Sequence, residues 1–399
     1  MNEPVTARTL KKTPYFSSAS VACAEHCAMD VLLEEIVGIG GLDVLVIGVG
    51  ECCFYSRKIE FPAGRKNWAY QLTDTEIVLG DLSGIERALE EMSRTENRIV
   101  CILTCIPCLM NLDIESFIGT RFENVVCISA PDYAGISSYD CLSDLYYVLL
   151  KDIKPNPIEK VQVWRGGGEE RSFADIREKL NAKTHIVQSE KFLRLLSHLS
   201  ARYSLETIDD VHFHDFDFYR ARGNLLGITE REIEEAEDIT KKLKGLSRLD
   251  IYAPFAYEYA LFLQKYGVRV RRILFDGFCG DAYARCKALK EDTEIVLYHD
   301  SRILRESEAV LDLSDCGEEI SGLYGFHRLL YLLRRTLPLC RSTDMLHFLP
   351  PEWRRFISLR GIVTLRLLIF PRMDTAFIIT GILCVWLREG HSRRFIPYL

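Results

Sequence analysis

The sequence lacks the features of several common protein classes. No block of basic residues stands out and the net charge is −7, which argues against nucleic acid as a partner. No Walker A sequence G-x-x-x-x-G-K-S/T occurs, so any ATP that the protein uses must be bound by another protein. An uncharged apolar run covers residues 375–387, but a helix needs about 20 such residues to cross a membrane. We therefore expect a buried segment there and no membrane span.

An export signal is missing as well. The first 20 residues contain no apolar segment of the kind found in signal peptides. The 14 cysteines therefore indicate a reducing compartment rather than a disulfide scaffold, and we expect a cytoplasmic protein. The cysteine spacing also differs from the paired C-x-x-C motifs of a zinc ribbon.

Strand-like and helix-like patterns alternate along most of the chain. Continuous apolar runs at 42–50, 97–105 and 124–130 are typical of strands buried on both faces. Amphipathic segments separate these runs, as in the helix predicted to follow Ser83 as its N-cap, with Glu86 at the capping-box position. This βαβ series predicts an α/β protein made of several Rossmann-like domains with parallel sheets.

The pattern divides the 399 residues into four regions. Residues 1–155 are predicted to form an N-terminal α/β domain, and residues 156–245 a short middle α/β and helical segment. Residues 246–340 are predicted to form a second Rossmann-like domain, followed by a divergent tail at 341–399. In the middle segment, a helix capped by Thr229 has an acidic first turn and a basic last turn, and we expect it to be a solvated connecting helix.

Three cysteines of the first region lie at the ends of predicted elements. Cys27 opens a helix-like run, while Cys52 and Cys105 each close a strand-like run. A helix start and two strand ends at these separations can converge at one edge of a parallel sheet, where open α/β folds bind ligands. Three converging thiolates suit an iron–sulfur cluster with one ligand missing, most simply supplied by another subunit.

Neighbouring residues leave alternatives open. Cys105 and Cys108 form a C-I-P-C element that is also typical of a thioredoxin-like redox pair. We favour Cys105 as the functional cysteine, with Cys108 packed on the helix. Cys23 and Cys53 are further candidates beside Cys27 and Cys52.

Three histidines also lie in suggestive positions. His26 is either a hydrogen-bond donor to a cluster sulfur or, as we favour, a surface histidine. His212 and His214 would share one face of a strand and could bind a metal as a pair, but a polar loop is favoured. Four further cysteines within or beside apolar runs are expected to be small buried apolar residues: Cys101, Cys127, Cys286 and Cys384.

The order of these motifs resembles nitrogenase component 1 and its relatives. Residues 27–52 run from "CAMD" to "IGVGEC", similar to the family's path from its first cluster cysteine to an "HGP-x-GC" turn. Residues 102–117 are similar to the family's "STCP-x-x-L-I-G-D-D-I-E" element, which carries the third cysteine. Further similar segments are residues 73–92, 128–150, 245–273 and 321–337.

The resemblance implies several α/β domains around a cluster site that two homologous subunits share, in a homodimer or a heterodimer. It implies that Cys27, Cys52 and Cys105 bind the iron of an iron–sulfur cluster of the 4Fe–4S type. It also implies a separate Fe-protein-like reductase that hydrolyses ATP, docks and delivers electrons. The protein would then be an oxidoreductase subunit that reduces an unidentified substrate.

The sequence departs from the family in ways that narrow its function. Ile47, Val49 and Glu51 replace the His, Pro and Gly of the turn, and the cysteine and histidine that hold the active-site cofactor of nitrogenase have no convincing counterpart. Dinitrogen reduction is therefore not expected. Two other functions stay open: a non-catalytic scaffold for metallocofactor assembly, and a zinc or thiol-redox protein.

Overall fold

A computed structural model describes ten segments of the chain: 6–8, 27–110, 114–131, 138–166, 171–246, 249–252, 256–275, 286–297, 310–312 and 323–347. These segments contain three parallel sheets of four, three and four strands, and a separate pair of two-residue strands. Helices pack against the sheets, which confirms the predicted α/β fold class.

The first sheet contains four parallel strands in the order β3-β2-β4-β5. Every residue of its central strand, Leu42–Gly48, is buried, because helices cover both faces of the sheet. This confirms the strand predicted from the apolar run at 42–50. The elements are α1 (Ala28–Val37), β1 (Ile39–Gly40), β2 (Leu42–Gly48), α2 (Gly50–Ser56), β3 (Asn67–Gln71), α3 (Asp74–Leu79), α4 (Ser83–Met92), β4 (Arg98–Leu103), α5 (Cys105–Leu109), α6 (Ile114–Gly119), β5 (Val125–Ser129) and α7 (Ser138–Leu150).

The second sheet, in the order β6-β8-β9, shares a hydrophobic core with the first. Leu32 and Tyr146 from the first unit pack in one cluster with Phe192 and Leu195 from the second. An ion pair also joins the units, with Lys191 Nζ 2.6 Å from Glu35 Oε1. The elements are β6 (Ile158–Trp164), β7 (Arg171–Ser172), α8 (Phe173–Lys179), β8 (Ala182–Val187), α9 (Glu190–Tyr203), β9 (Glu206–Asp209), α10 (Phe216–Leu226) and α11 (Glu230–Leu243).

The third sheet, in the order β12-β11-β10-β13, has its own core. The start of the chain joins this core, because Thr6 bridges to Glu294 and Ala7 is buried. The elements are β10 (Leu249–Tyr252), α12 (Ala256–Lys265), β11 (Val270–Phe275), β12 (Glu294–Leu297), β13 (Val310–Asp312) and α13 (Gly325–His347). The division of the chain into domains at 155, 245 and 340 stays a prediction.

Two local predictions were wrong. The helix α4 begins at Ser83 rather than after it, because the Asp81 carboxylate accepts hydrogen bonds from the Ser83 backbone N–H and hydroxyl. The helix α11 has the predicted Thr229 cap, which forms a capping box with Glu232. It is not a solvated connector, since its apolar face is buried and it packs against α13.

The described residues contain no helix that is both long and apolar enough to cross a membrane. The apolar segment 375–387 lies outside these residues, as does most of the predicted tail.

A buried histidine lies in the centre of the second sheet. His185 is 0% exposed, and its Nδ1 accepts a hydrogen bond of 2.9 Å from Trp164 Nε1. Burial lowers the pKa of His185 to about 4, because the charged imidazolium would lose its hydration. The fold therefore requires the neutral imidazole.

We expect acid to destabilise the fold through His185. The pKa is about 4 in the folded chain and 6.5 in the unfolded chain, so the unfolded chain binds this proton first as the pH falls. Between pH 6.5 and pH 4 this proton lowers the free energy of unfolding by roughly 3 kcal/mol. Urea denaturation at a series of pH values measures the effect. His185→Gln, which does not titrate, should show a smaller pH dependence; an equal dependence in both proteins would contradict the assignment.

Candidate functional site

Two of the predicted site residues follow neighbouring strands. The strands β2 and β4 pair in parallel, from Leu42 beside Arg98 to Ile47 beside Leu103, so their carboxyl ends lie at one edge of the sheet. Cys52 is the third residue of α2 and Cys105 is the first residue of α5. The two helices begin where the two strands end, and both cysteines therefore lie at this edge.

Cys27 lies at the start of the helix that precedes β2. It immediately precedes α1, with an extended backbone conformation. A short connection joins α1 to β2, and α1 contacts α2. Cys27 and Cys52 pack against the same hydrophobic core. The structure therefore places Cys52 and Cys105 at one edge of the sheet, while the convergence of Cys27 with them stays a prediction.

Gly48 at the end of β2 allows the close approach of the two strand ends. A Cβ atom at this position would lie 3.1 Å from the Cys52 Cβ and would clash with the Thr104 hydroxyl. Thr104 immediately precedes Cys105. Gly48 therefore lies between Cys52 and the residue next to Cys105.

We expect Gly48→Ala to push these strand ends apart. Such overpacking in a tight site lowers the free energy of unfolding by about 1–3 kcal/mol. Gly119→Ala is the matched control, because a Cβ at Gly119 meets nothing within 4 Å, and it should be neutral or slightly stabilising. Chemical denaturation of both variants gives the comparison, and equal stabilities would contradict the close packing.

The three cysteines form no disulfide among the described residues, and each has intermediate exposure. Each lies at or within the first turn of a helix. Cysteine sulfur is a common metal ligand, and intermediate exposure leaves each side chain accessible to an ion. All three side chains thus meet the first requirement of a metal ligand.

Two cysteines next to the candidate ligands, Cys53 and Cys108, have thiols whose pKa is raised by burial. The Cys53 thiol is 7% exposed and lies 3.4 Å from the Tyr70 carbonyl oxygen. The Cys108 thiol lies 3.4 Å from the Leu103 carbonyl oxygen. Burial raises the pKa of both thiols, because it disfavours the thiolate. Both side chains are therefore held as protonated donors.

The burial of Cys53 and Cys108 predicts that they react more slowly with an alkylating reagent than the neighbouring Cys52 and Cys105. Cys52 should react faster with iodoacetamide than Cys53, and Cys105 faster than Cys108. The reason is that burial raises the pKa of Cys53 and Cys108 and so lowers the fraction of each thiol that is present as the reactive thiolate. Peptide mass spectrometry after timed labelling of the metal-free protein measures the four rates. Equal rates within either pair would contradict the assignment.

A buried hydroxyl accompanies the cysteines. Thr104 is 2% exposed, and its Oγ1 has no hydrogen-bond partner among the described residues. A buried polar atom of this kind is costly unless something else satisfies it. Thr104 lies between Cys52 and Cys105, so its hydroxyl is available to a group bound there. No sequence pattern distinguished Thr104 from other residues at strand ends.

Exposed apolar side chains surround the same edge. They lie on α2, α3 and α5, the helices that follow three adjacent strands. Large apolar side chains gathered on one surface typically mark a protein interface. This surface, here named the apolar rim, consists of Phe54, Tyr55, Val78, Leu79 and Leu109, each more than half exposed.

The two histidines of the middle segment lie on a loop between β9 and α10, as favoured, and do not face each other as a metal pair. His214 Nε2 bonds the Asp209 carbonyl oxygen and its ring stacks on Phe218. His212 instead groups with Glu190 and Glu258. No sequence pattern indicated this group, because the two glutamates lie on separate helices far from the histidine along the chain.

The charge state of His212 follows from its neighbours. Burial disfavours its charged form, but hydrogen bonds to Asp209 and Glu190 outweigh burial and raise the pKa of His212 to about 9. In the absence of another cation the imidazole is therefore protonated at neutral pH and balances part of the surrounding negative charge.

The other predicted residues have simpler outcomes. Cys101 and Cys286 are buried as expected, and Cys127 is partly buried against the core. Three further residues lie outside the described segments: Cys23, His26 and Cys384.

Comparison with known proteins supports the fold. No family model matches the sequence, and no curated protein matches it. A solved structure described as "Nitrogenase Cp1 at pH 6.5" superposes with a TM-score of 0.50 and 12% sequence identity, covering 86% of this chain and 97% of that chain. The chain therefore has a nitrogenase-like fold, as the resemblance implied. The three cysteine ligands stay a prediction.

Proposed function

We propose that this chain is a nitrogenase-like component 1 subunit, an oxidoreductase that holds an iron–sulfur cluster through Cys27, Cys52 and Cys105. One observation carries the proposal. In a chain with a nitrogenase-like fold, Cys52 and Cys105 lie at one edge of a parallel sheet, and Cys27 begins a helix that contacts α2 at that edge.

The residues at this edge fit an iron–sulfur cluster. Thiolates are the common ligands of such clusters, and hydrogen bonds to the sulfurs adjust the reduction potential. Cys27, Cys52 and Cys105 would supply the thiolates. The Thr104 hydroxyl, which has no hydrogen-bond partner in the part of the chain that the structure describes, would supply a donor. A bound cluster would accept and release single electrons. A 4Fe–4S cluster has four ligand positions, so three cysteines leave one position for another chain.

The apolar rim supports a second subunit at this edge. A homologous chain, identical or different, would cover these side chains and exclude water from the cluster. It would also bring the remaining ligand. Burial of Phe54 and Tyr55, which are 62% and 54% exposed, would contribute several kcal/mol to such an association.

The electrons would come from a separate protein. The chain has no phosphate-binding Walker A loop, so coupling to ATP requires a partner of the Fe-protein type that binds and hydrolyses the nucleotide. The cluster would receive electrons from this reductase and pass them to an unidentified substrate. Cys27, Cys52 and Cys105 would hold the cluster, while Thr104 would position its hydroxyl towards it.

Anaerobic reconstitution with iron and sulfide tests the proposal. The wild-type chain should become coloured and bind iron and sulfide in equal amounts. Cys27→Ala, Cys52→Ala and Cys105→Ala should each lose most of the bound iron. Cys53→Ala and Cys108→Ala are matched controls next to two of the ligands, and they should retain it. A wild-type protein that stays colourless would overturn the proposal.

The same variants, together with a turnover assay, separate the two alternatives. A thiol-redox pair needs both Cys105 and Cys108, so it would make Cys108→Ala as severe as Cys105→Ala. A scaffold for cofactor assembly would bind iron like the proposed subunit but would show no turnover with a reductase and ATP.

A further inference from the structure

A second group of ligand atoms lies away from the cysteines, where the second unit meets the third. His212 follows β9, Glu190 begins α9, and Glu258 lies in the first turn of α12. The His212 Nε2 lies 3.7 Å from Glu190 Oε1 and 3.6 Å from Glu258 Oε1. One ligand atom from each residue lies within 4.8 Å of the other two.

The histidine ring is held in this orientation from behind. Asp209 Oδ2 lies 2.6 Å from His212 Nδ1. The Asp209 carboxylate is itself fixed, because its Oδ1 accepts the backbone N–H groups of Val211 and His212 at 2.9 and 3.2 Å. A carboxylate that bonds one ring nitrogen while the other nitrogen faces further ligands is the usual arrangement around a metal-binding histidine.

The spacing fits one small cation. Histidine nitrogen and carboxylate oxygen bind zinc and similar ions at about 2.0–2.2 Å. Two ligands of a tetrahedral ion at that distance lie about 3.4 Å apart, close to the two separations from His212 Nε2. Only small side-chain shifts would bring the three atoms onto an ion.

We propose that Glu190, His212 and Glu258 bind one divalent transition-metal ion, with Asp209 as the hydrogen-bond partner of the histidine. Imidazole suits zinc, iron and similar ions, whereas carboxylates suit manganese and other hard ions. A mixed nitrogen and oxygen set without thiolate therefore favours Mn²⁺, Fe²⁺ or Zn²⁺. A dication would also neutralise the two glutamates.

The site is partly enclosed but reachable. The Glu258 side chain is 5% exposed, while those of Glu190 and His212 are 24% and 19% exposed. His212 and Glu258 also line a cleft with Phe213, Leu261 and Lys265. Three protein ligands next to a cleft leave a coordination position open to water or a small ligand, as in catalytic metal sites. This site shares no residue with the cysteine edge, so it stands independently of the proposed function.

Manganese binding provides the test, because Mn²⁺ favours oxygen and nitrogen over thiolate. The metal-free chain is titrated with Mn²⁺, and the loss of the electron paramagnetic resonance signal of free Mn²⁺ gives the bound amount. We expect one equivalent bound by the wild type. His212→Ala and the near-isosteric Glu190→Gln should each weaken binding at least tenfold, and Asp209→Asn should weaken it by about 10–100-fold.

Two controls make the result specific. His214→Ala changes a neighbouring histidine that also bonds Asp209 but is not in the group, and it should bind Mn²⁺ like the wild type. Cys52→Ala should do the same, which separates this site from the cysteine edge. Circular dichroism verifies that each variant is folded. Failure of the wild type to bind Mn²⁺, or equal binding by wild type and Glu190→Gln, would overturn the proposal and leave a protonated histidine between carboxylates.

Discussion

The parallel pairing of β2 with β4 is the constraint on which the candidate cluster site depends. Because the two strands point the same way and end together, whatever follows them begins at the same edge. Gly48 then lies between Cys52 and Thr104, and a Cβ at this position would meet both. Backbone topology thus gathers Cys52 and Cys105 at one edge, and the local sequence only has to place a cysteine at each of these helix starts.

A buried ion pair joins the first unit to the second. Lys191 is 4% exposed, and its ammonium group bonds both Glu35 and the Gly166 carbonyl oxygen. Burial of a charge is costly unless it is paired and hydrogen-bonded. This pair therefore specifies how α9 lies against α1. Because Cys27 precedes α1, the pair also fixes the second unit relative to that helix.

Much of the fold could be predicted from sequence because buried parallel strands and capped helices leave local patterns. The apolar run of β2 and the Thr229 cap are of this kind. The prediction for Ser83 failed because the Asp81 carboxylate accepts the Ser83 backbone N–H. In the predicted capping box, the Glu86 side chain would have accepted this N–H. Contacts between distant segments leave no such pattern. Glu190 and Glu258 look like ordinary helical glutamates, and Thr104 looks like any strand-end residue, until the tertiary structure brings their partners to them.

The apolar rim has a consequence for the supply of this protein in the cell. Chains that expose Phe54, Tyr55, Val78, Leu79 and Leu109 adhere to other apolar surfaces when nothing covers them. A subunit produced in excess of its partner would accumulate in aggregates or be degraded. If a second chain covers the rim as proposed, the two surfaces have to be produced in balance, and an identical partner meets that requirement automatically.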